Sequence, residues 1–178
     1  KGLNPHVYVM SATPIPRTMA LFIYGDLDIS VLDELPPGRQ KVATYAVDTA
    51  LRARALNYVK KHLDKGLQGY IICPLVEEGE SELVAATRYA SDLSEGFFAD
   101  YKVGLLHGKM KAKDKDAVMA SFASGETDLL VSTTVVEVGV DVPNAAIMVI
   151  ENAERFGLSQ LHQLRGRIGR GEHESTCI

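Results

Sequence analysis

Three arginines in a short glycine-containing run are the residues of this chain best suited to chemistry. Arg165, Arg167 and Arg170 fall within six consecutive residues of a chain whose formal net charge is −4. Because a guanidinium group is planar and always charged, arginines in fixed spacing suit the recognition of an oxyanion such as a phosphate. We expect Arg167 and Arg170, three residues apart, to share one face of a helical turn. The run predicts an arginine finger for phosphoryl transfer, with a solvated basic helix end as the alternative.

Short apolar runs precede these arginines and alternate with amphipathic segments. The runs do not alternate internally, which is typical of strands buried on both faces of a sheet. They are Val7–Met10, Val42–Val47, Tyr70–Cys73, Val103–Leu106, Leu129–Val131 and Ile147–Ile150, and a further strand is expected to begin at Ile178. Strand and helix in alternation predict an α/β fold with a parallel sheet and right-handed crossovers.

Three segments between the runs have helical spacing. The first has apolar residues at every fourth position, with Asp48 as the predicted N-cap and Gly66 as the stop. The third is expected to end near Gly125. The apolar positions are Leu51, Ala55, Val59 and Leu63 in the first segment, Leu83, Ala86, Ala90 and Leu93 in the second, and Val118 and Phe122 in the third.

Composition excludes several classes of protein. The acidic balance argues against a general nucleic-acid-coating surface, although it permits a local phosphate track. Two cysteines, Cys73 and Cys177, do not make a disulfide framework or a zinc site, and Cys73 is expected in the core. No apolar stretch reaches the roughly 18 residues that span a bilayer, and no signal peptide is visible. We therefore expect a cytoplasmic location without a membrane partner.

Four segments of the chain resemble motifs of superfamily 2 helicases. The segments Ser11–Thr18, Leu129–Ala145 and Gln160–Gly171 are similar to motifs III, V and VI, and Gly104–Met110 matches a further family segment. The finer resemblance is to the RecG family of branched-DNA helicases. Three segments carry it: Tyr24–Asp28 through Asp33–Arg39, Cys73–Glu78, and Ile150–Leu158.

The resemblance implies half of a motor with two RecA-like domains and ATP between them. Residues 1–40 would be the end of the upstream helicase domain, with motif III and the linker, and Pro36 to Gly38 mark the boundary. Residues 41–178 would be the second RecA-like domain. The sequence has no Walker A phosphate loop and no magnesium-binding acidic box. The chain is therefore expected to be a fragment that is inactive alone, with the magnesium ligands in the upstream RecA-like domain.

On the ATP side, the resemblance assigns roles to five residues. Arg167 and Arg170 would reach the γ-phosphate, and Gln163 would orient a nucleotide group or the attacking water. Gly139 and Asp141 would contact the ribose. The alternatives are that one arginine pairs with a local carboxylate, that Gln163 is a helix-surface residue, and that Asp141 caps a turn before Pro143.

On the DNA side, Thr133 and Thr134 would grip the tracking strand. His107, Gly108 and Lys109 would form a second contact, with Lys109 on a phosphate. The alternative for His107 is that it only holds its loop. Coupling between ATP and DNA would involve Glu137 and the motif III residues Ser11, Ala12 and Thr13, of which Ser11 and Thr13 could instead cap the turn before Pro14. No histidine has metal-ligand spacing, so no metal site is expected in this chain.

The function implied is an ATP-dependent DNA helicase or translocase that remodels branched DNA, such as replication forks and Holliday junctions, in recombination and repair. Two alternatives stay open. One is a transcription-repair coupling translocase that moves on duplex DNA, which shares motifs III, V and VI but differs after motif III. The other is a partner-binding domain that kept the fold without catalysis, against which the intact Arg167, Arg170 and Asp141 argue.

Overall fold

The computed structural model describes residues 41–73, 82–133 and 141–178, with positions 10, 30–32, 34 and 39. The chain separates into two compact units, Lys1–Leu35 and Pro36–Ile178, and all helices and strands of the described residues belong to the second. The expected strand at Val7–Met10 lies outside the described residues except for Met10. The expected domain division at residue 40 stays a prediction.

Among the described residues, six parallel strands form one sheet, in the order β1-β6-β5-β2-β4-β3. The central strands β6, β5, β2 and β4 are buried along their whole length, whereas the edge strands β1 and β3 are partly exposed. The strands are β1 Val42–Thr44, β2 Gln68–Ile72, β3 Val103–Leu106, β4 Leu129–Ser132, β5 Ala145–Ile150 and β6 Ser175–Cys177. The predicted parallel sheet with buried strands is confirmed.

Helices cover both faces of the sheet. Helices α1 (Arg52–Leu63) and α2 (Glu82–Glu95) contribute buried residues to the core on one face. On the other face, α3 (Ala112–Ala123) and α4 (Leu158–Arg165) do the same. Short 3-10 turns at Thr49–Leu51 and Ala153–Arg155 precede α1 and α4. This arrangement confirms the α/β class and places the carboxyl ends of all six strands along one edge.

Three local expectations at the start of the domain were wrong. Strand β1 ends at Thr44 rather than Val47, because its ladder with β6 pairs only Val42 to Thr44, and Tyr45 and Val47 are exposed. Leu51 is exposed in the 3-10 turn and does not join the apolar stripe of α1. Asp48 stands at the start of that turn but makes no side-chain cap.

The predicted helix stops and the buried cysteine are confirmed. Gly66 and Gly125 have φ angles of 75° and 81°, the left-handed conformation in which glycine commonly ends a helix. Cys73 is buried in the core. Within the part of the chain that the structure describes, no helix is long and apolar enough to cross a bilayer, and no group of three or more His, Cys, Asp or Glu side chains could hold a metal ion.

Candidate functional site

The two candidate finger arginines follow α4 rather than extending it. The helix ends at Arg165, Gly166 takes the C-cap position, and Gly169 has a φ angle of 73°. The expected helical turn carrying Arg167 and Arg170 is therefore wrong, because the glycines end the helix before it. Both guanidinium charges nevertheless lie near enough to the hydroxyl of Tyr70 in β2 to lower its pKa.

Three charged side chains lie within electrostatic range of the Tyr70 hydroxyl. Burial raises the pKa of Tyr70 to about 12, while the positive charges of Arg167 and Arg170 lower it and the negative charge of Asp141 raises it. The Tyr70 ring is itself buried and packs on Phe122 at a centroid distance of 4.9 Å. The sequence run that carries the arginines and the loop that carries Asp141 therefore both lie within electrostatic range of the same strand, β2.

Asp141 and Arg170 form an ion pair in this group. The Arg170 Nη1 lies 3.4 Å from the Asp141 Oδ1, and the two side chains are 30% and 58% exposed. A partly exposed pair of this length contributes about 0–1 kcal/mol. The sequence offered the alternative that one of the arginines pairs with a local carboxylate, and this pair is observed. Its two members, Arg170 and Asp141, are both residues that were expected to contact the nucleotide.

Backbone packing holds the two loops together. A Cβ atom built on Gly171 would lie 2.2 Å from the carbonyl oxygen of Pro143, so only a glycine fits there. Gly171 follows Arg170 directly, and Pro143 is two residues after Asp141. The close approach fixes the distance between the chain segments that carry the ion pair.

The carbonyl of Gly166 receives two arginine side chains. The Arg170 Nε donates to it at 3.1 Å and the Arg39 Nη2 at 2.9 Å. Arg39 had no role in the sequence analysis beyond its place in a family segment. Gln163 is exposed on α4, and among the described residues its side chain has no hydrogen-bond partner. The structure therefore pairs Arg170 with Asp141, places the charge of Arg167 near the same Tyr70, and leaves Gln163 on the helix surface.

The candidate DNA residues lie at the carboxyl edge of the sheet. His107 and Thr133 directly follow β3 and β4, whose last residues, Leu106 and Ser132, are register partners. The Thr133 backbone N–H donates to the Leu106 carbonyl at 3.1 Å. The His107 Nδ1 and the Thr133 Oγ1 are buried, and neither has a hydrogen-bond partner among the described residues. Because an unpaired buried polar atom is costly, each of the two atoms calls for a partner beyond the described residues.

The other expected contacts are only partly visible. Lys109 is exposed and Gly108 is half-buried beside His107, and the Met110 N–H donates to the backbone carbonyl of His107 at 3.2 Å, which closes the turn after β3. The remaining candidates, which lie outside the described residues, are Ser11, Ala12, Thr13, Thr134, Glu137 and Gly139.

The two candidate clusters lie toward opposite ends of the strands. Thr133 leaves β4 at its carboxyl end, whereas Asp141 and Pro143 lead into β5 at its amino end. Strands of this length extend about 13–20 Å at 3.3 Å per residue. The sheet itself therefore separates the group around Arg170 from the carboxyl-edge pair His107 and Thr133.

One further charged cluster was missed by the sequence analysis. The Arg52 Nε lies 2.9 Å from the Glu151 Oε1, and the Tyr89 hydroxyl donates to the same oxygen at 2.6 Å. Burial and the bond to Glu151 raise the pKa of Tyr89. These residues join α1, α2 and the end of β5 beside a cavity of about 860 Å³, lined by Arg52 and Glu151 among others. Their spacing along the chain carries no signal that could have revealed the cluster.

Comparison with known proteins shows strong similarity over the whole chain. It is 52% identical over its full length to the ATP-dependent DNA helicase RecG of Synechocystis, of which it covers 22%, and 54% identical to that of Bacillus subtilis, of which it covers 26%. The chain thus spans about a quarter of the length of these curated relatives.

Solved structures show the same fold. A structure of RecG bound to a three-way DNA junction matches 94% of this chain at 50% identity with a TM-score of 0.79, over 22% of that protein. The S. cerevisiae protein Dbp5, bound to RNA and ADP BeF3, matches 94% of the chain over 43% of its own length, at 19% identity and a TM-score of 0.58. At that identity the second likeness establishes the RecA-like helicase fold alone.

The family model for the helicase conserved C-terminal domain matches residues 53–172. That range includes β2 to β5 and the arginine run. The chain belongs to the family of helicase conserved C-terminal domains.

Proposed function

We propose that this chain is the second RecA-like half of an ATP-dependent DNA helicase or translocase that remodels branched DNA in recombination and repair. The support is its identity of about 50% to proteins named ATP-dependent DNA helicase RecG, and its likeness to RecG bound to a three-way junction. The location that goes with this proposal is the bacterial cytoplasm at the nucleoid, since the RecG relatives of Synechocystis and Bacillus subtilis are bacterial proteins.

The observation that carries the proposal is the ion pair of Arg170 with Asp141, with the charge of Arg167 on the same chain segment and near the same Tyr70. Two permanent positive charges suit a phosphate group, and a carboxylate suits ribose hydroxyl donors. Arg170 and Asp141 are partly exposed, so both are accessible to a nucleotide. In this role, the arginines would stabilise the charge that develops on the γ-phosphate, a contribution worth on the order of 10³–10⁵ in rate in NTPases. Gly139 would support the ribose contact, and Gln163 would act only if the nucleotide reached the α4 surface.

The rest of the ATP site would come from an upstream RecA-like domain of the same protein. This sequence has no phosphate loop and no acidic magnesium box, and both are needed to hold ATP with its magnesium ion. In this arrangement residues 1–40 carry the end of the upstream domain and residues 41–178 the second domain. Ser11, Ala12, Thr13 and Glu137 would couple the two, as the resemblance implies.

DNA would run along the carboxyl edge of the sheet. The buried Thr133 Oγ1 and His107 Nδ1 offer polar atoms there that have no partner among the described residues, and the exposed Lys109 offers a positive charge for a phosphate. Thr134 and Gly108 would complete these contacts. Because ATP and DNA candidates lie toward opposite ends of the strands, a movement of the domain at the nucleotide would also displace the DNA contacts.

A mixing experiment tests the half-site. ATP hydrolysis is measured for this chain, for a separately produced upstream half, and for both together, each with and without forked DNA. Only the mixture with DNA should turn over, and turnover by this chain alone would refute the proposal.

A point variant makes the test sharper. In the complete protein, Arg170→Ala should lower DNA-stimulated ATP hydrolysis by about 10³-fold, with forked-DNA affinity within about twofold of wild type. Arg54→Ala is the matched control, because Arg54 is an exposed arginine on α1, on the opposite face of the sheet from α4. Wild-type turnover by the Arg170 variant would remove the finger assignment.

A further inference from the structure

We infer that Arg39 is a positioning residue for Arg170 and acts through the backbone carbonyl of Gly166. This inference rests on the proposed function, because it concerns the arginine assigned to the γ-phosphate. Arg39 lies three residues before β1, far from the arginine run in sequence, and its Nη2 donates to the Gly166 carbonyl at 2.9 Å.

The Gly166 carbonyl lies at the end of α4, where, in the described part of the chain, no following backbone N–H donates to it. The carbonyls of His162, Leu164 and Arg165 receive backbone N–H groups from Gly166, Arg167 and Ile168. The Gly166 carbonyl is the next acceptor, and it takes the Arg39 and Arg170 side chains instead. A carbonyl oxygen has two lone pairs and can accept both donors, and cations are favoured at a helix C-terminus.

Arg39 therefore fixes the acceptor that orients Arg170. The Arg170 guanidinium is held at two points, by its Nε on the Gly166 carbonyl and by its Nη1 beside Asp141. If Arg39 is removed, the Gly166 peptide loses one of its two side-chain donors and can rotate, which releases the first of these points. The Asp141 contact is exposed and too weak to hold the guanidinium alone.

The place of Arg39 in the chain gives this contact a further meaning. Arg39 lies near the start of the compact unit that also holds its partner, in the segment expected to link the two halves of the motor. A change in the path of that segment would move the Arg39 donor, and Gly166 would transmit the change to Arg170. The position of the segment around Arg39 would then affect the orientation of Arg170, the residue proposed to complete the ATP site.

The test compares Arg39→Gln and Arg39→Lys in the complete protein, with kcat and KM for ATP measured at saturating forked DNA. Arg39→Gln should lower kcat about tenfold and leave KM within about twofold, because a charged donor is lost from the acceptor while ground-state binding is kept. Arg39→Lys should recover most of kcat, since one N–H donor on a flexible stem can replace the single bond. Arg54→Gln, on α1, is the matched control and should behave as wild type.

A second background separates positioning from a merely structural role. Arg170→Lys lacks the Nε–H that meets Gly166, so adding Arg39→Gln to it should lower kcat by less than about twofold. A full additional tenfold loss there, or a loss in Arg39→Gln that Arg39→Lys does not restore, would overturn the inference. The inference would also be overturned if Arg39→Gln had the kcat of the wild type while Arg170→Ala had a much lower kcat. Wild-type turnover by Arg170→Ala would instead overturn the proposed function, whatever Arg39 does.

Discussion

Replacement of Gly171 by alanine tests whether the distance between the two loops governs catalysis. The added Cβ would lie 2.2 Å from the Pro143 carbonyl oxygen and 3.0 Å from its carbonyl carbon, both backbone atoms that cannot rotate away. The backbone of Gly171 is not in the left-handed region, so alanine is disfavoured at this position by the steric clash alone. The change therefore acts as a wedge between the arginine loop and the Asp141 loop.

The size of the wedge follows from the contact distance. Ordinary van der Waals contact begins near 3.4 Å, so the two backbones must separate by about 1 Å. The Arg170 Nη1 and Asp141 Oδ1, now 3.4 Å apart, would then lose their contact. A displacement of about 1 Å in a catalytic group costs on the order of 10²-fold in rate, and overpacking costs about 1–3 kcal/mol in stability.

The assay is DNA-stimulated ATP hydrolysis by the complete protein, together with its thermal midpoint. Gly171→Ala should lower kcat about 100-fold and the midpoint by a few degrees. Gly157→Ala is the matched control, because its Cβ would meet only the Gln160 Oε1, at 3.7 Å. If Gly171→Ala kept the turnover and midpoint of the control, the loop spacing would not matter and the reasoning would be refuted.

Two further substitutions, Thr133→Val and Tyr70→Phe, test the buried polar groups. Thr133→Val should weaken the stimulation of ATP hydrolysis by DNA and yet stabilise the protein by about 1 kcal/mol, because it removes a buried hydroxyl without a partner among the described residues. Thr127→Val, whose hydroxyl lies 2.9 Å from that of Ser121, should destabilise, and equal effects of the two in chemical denaturation would contradict this account. Tyr70 has a folded pKa of about 12, above the ordinary tyrosine value of 10.0, so its contribution is intact below pH 10 and is lost as pH rises toward 12. At pH 11 the wild type should have lost about 1.4 kcal/mol more than Tyr70→Phe, and parallel pH profiles of unfolding would rule this out.

The sequence was a good guide to the buried strands. The runs around Tyr70 and Ile147 are continuous and apolar because both faces of β2 and β5 are covered, and this pattern is visible without knowledge of the partners. Strand β6 is different, since Ser175 and Thr176 are polar although they are buried. Its place beside β1 is set by tertiary pairing that periodicity does not encode.

The site was predictable only as separate motifs. The types and spacing of Arg167 and Arg170 indicated phosphate chemistry, but the ion pair with Asp141 depends on a loop contact between distant positions. In the same run, Gly166 ends α4 and Gly171 admits the Pro143 backbone, and neither role can be read from their spacing. The contact of Arg39 with the Gly166 carbonyl could not be predicted, because a single arginine in a linker forms no periodic pattern that points to a partner.

The sheet order also has a consequence for how the chain is made. In the part of the chain that the structure describes, β1 has β6 as its only neighbour, and Thr44 pairs with Cys177. During synthesis β1 leaves the ribosome long before β6. It therefore has no strand to pair with while the centre of the sheet forms. Arg39 lies just before β1, so it reaches the end of α4 only after β1 has paired with β6. The arginine site is then assembled late, after the core on which it rests.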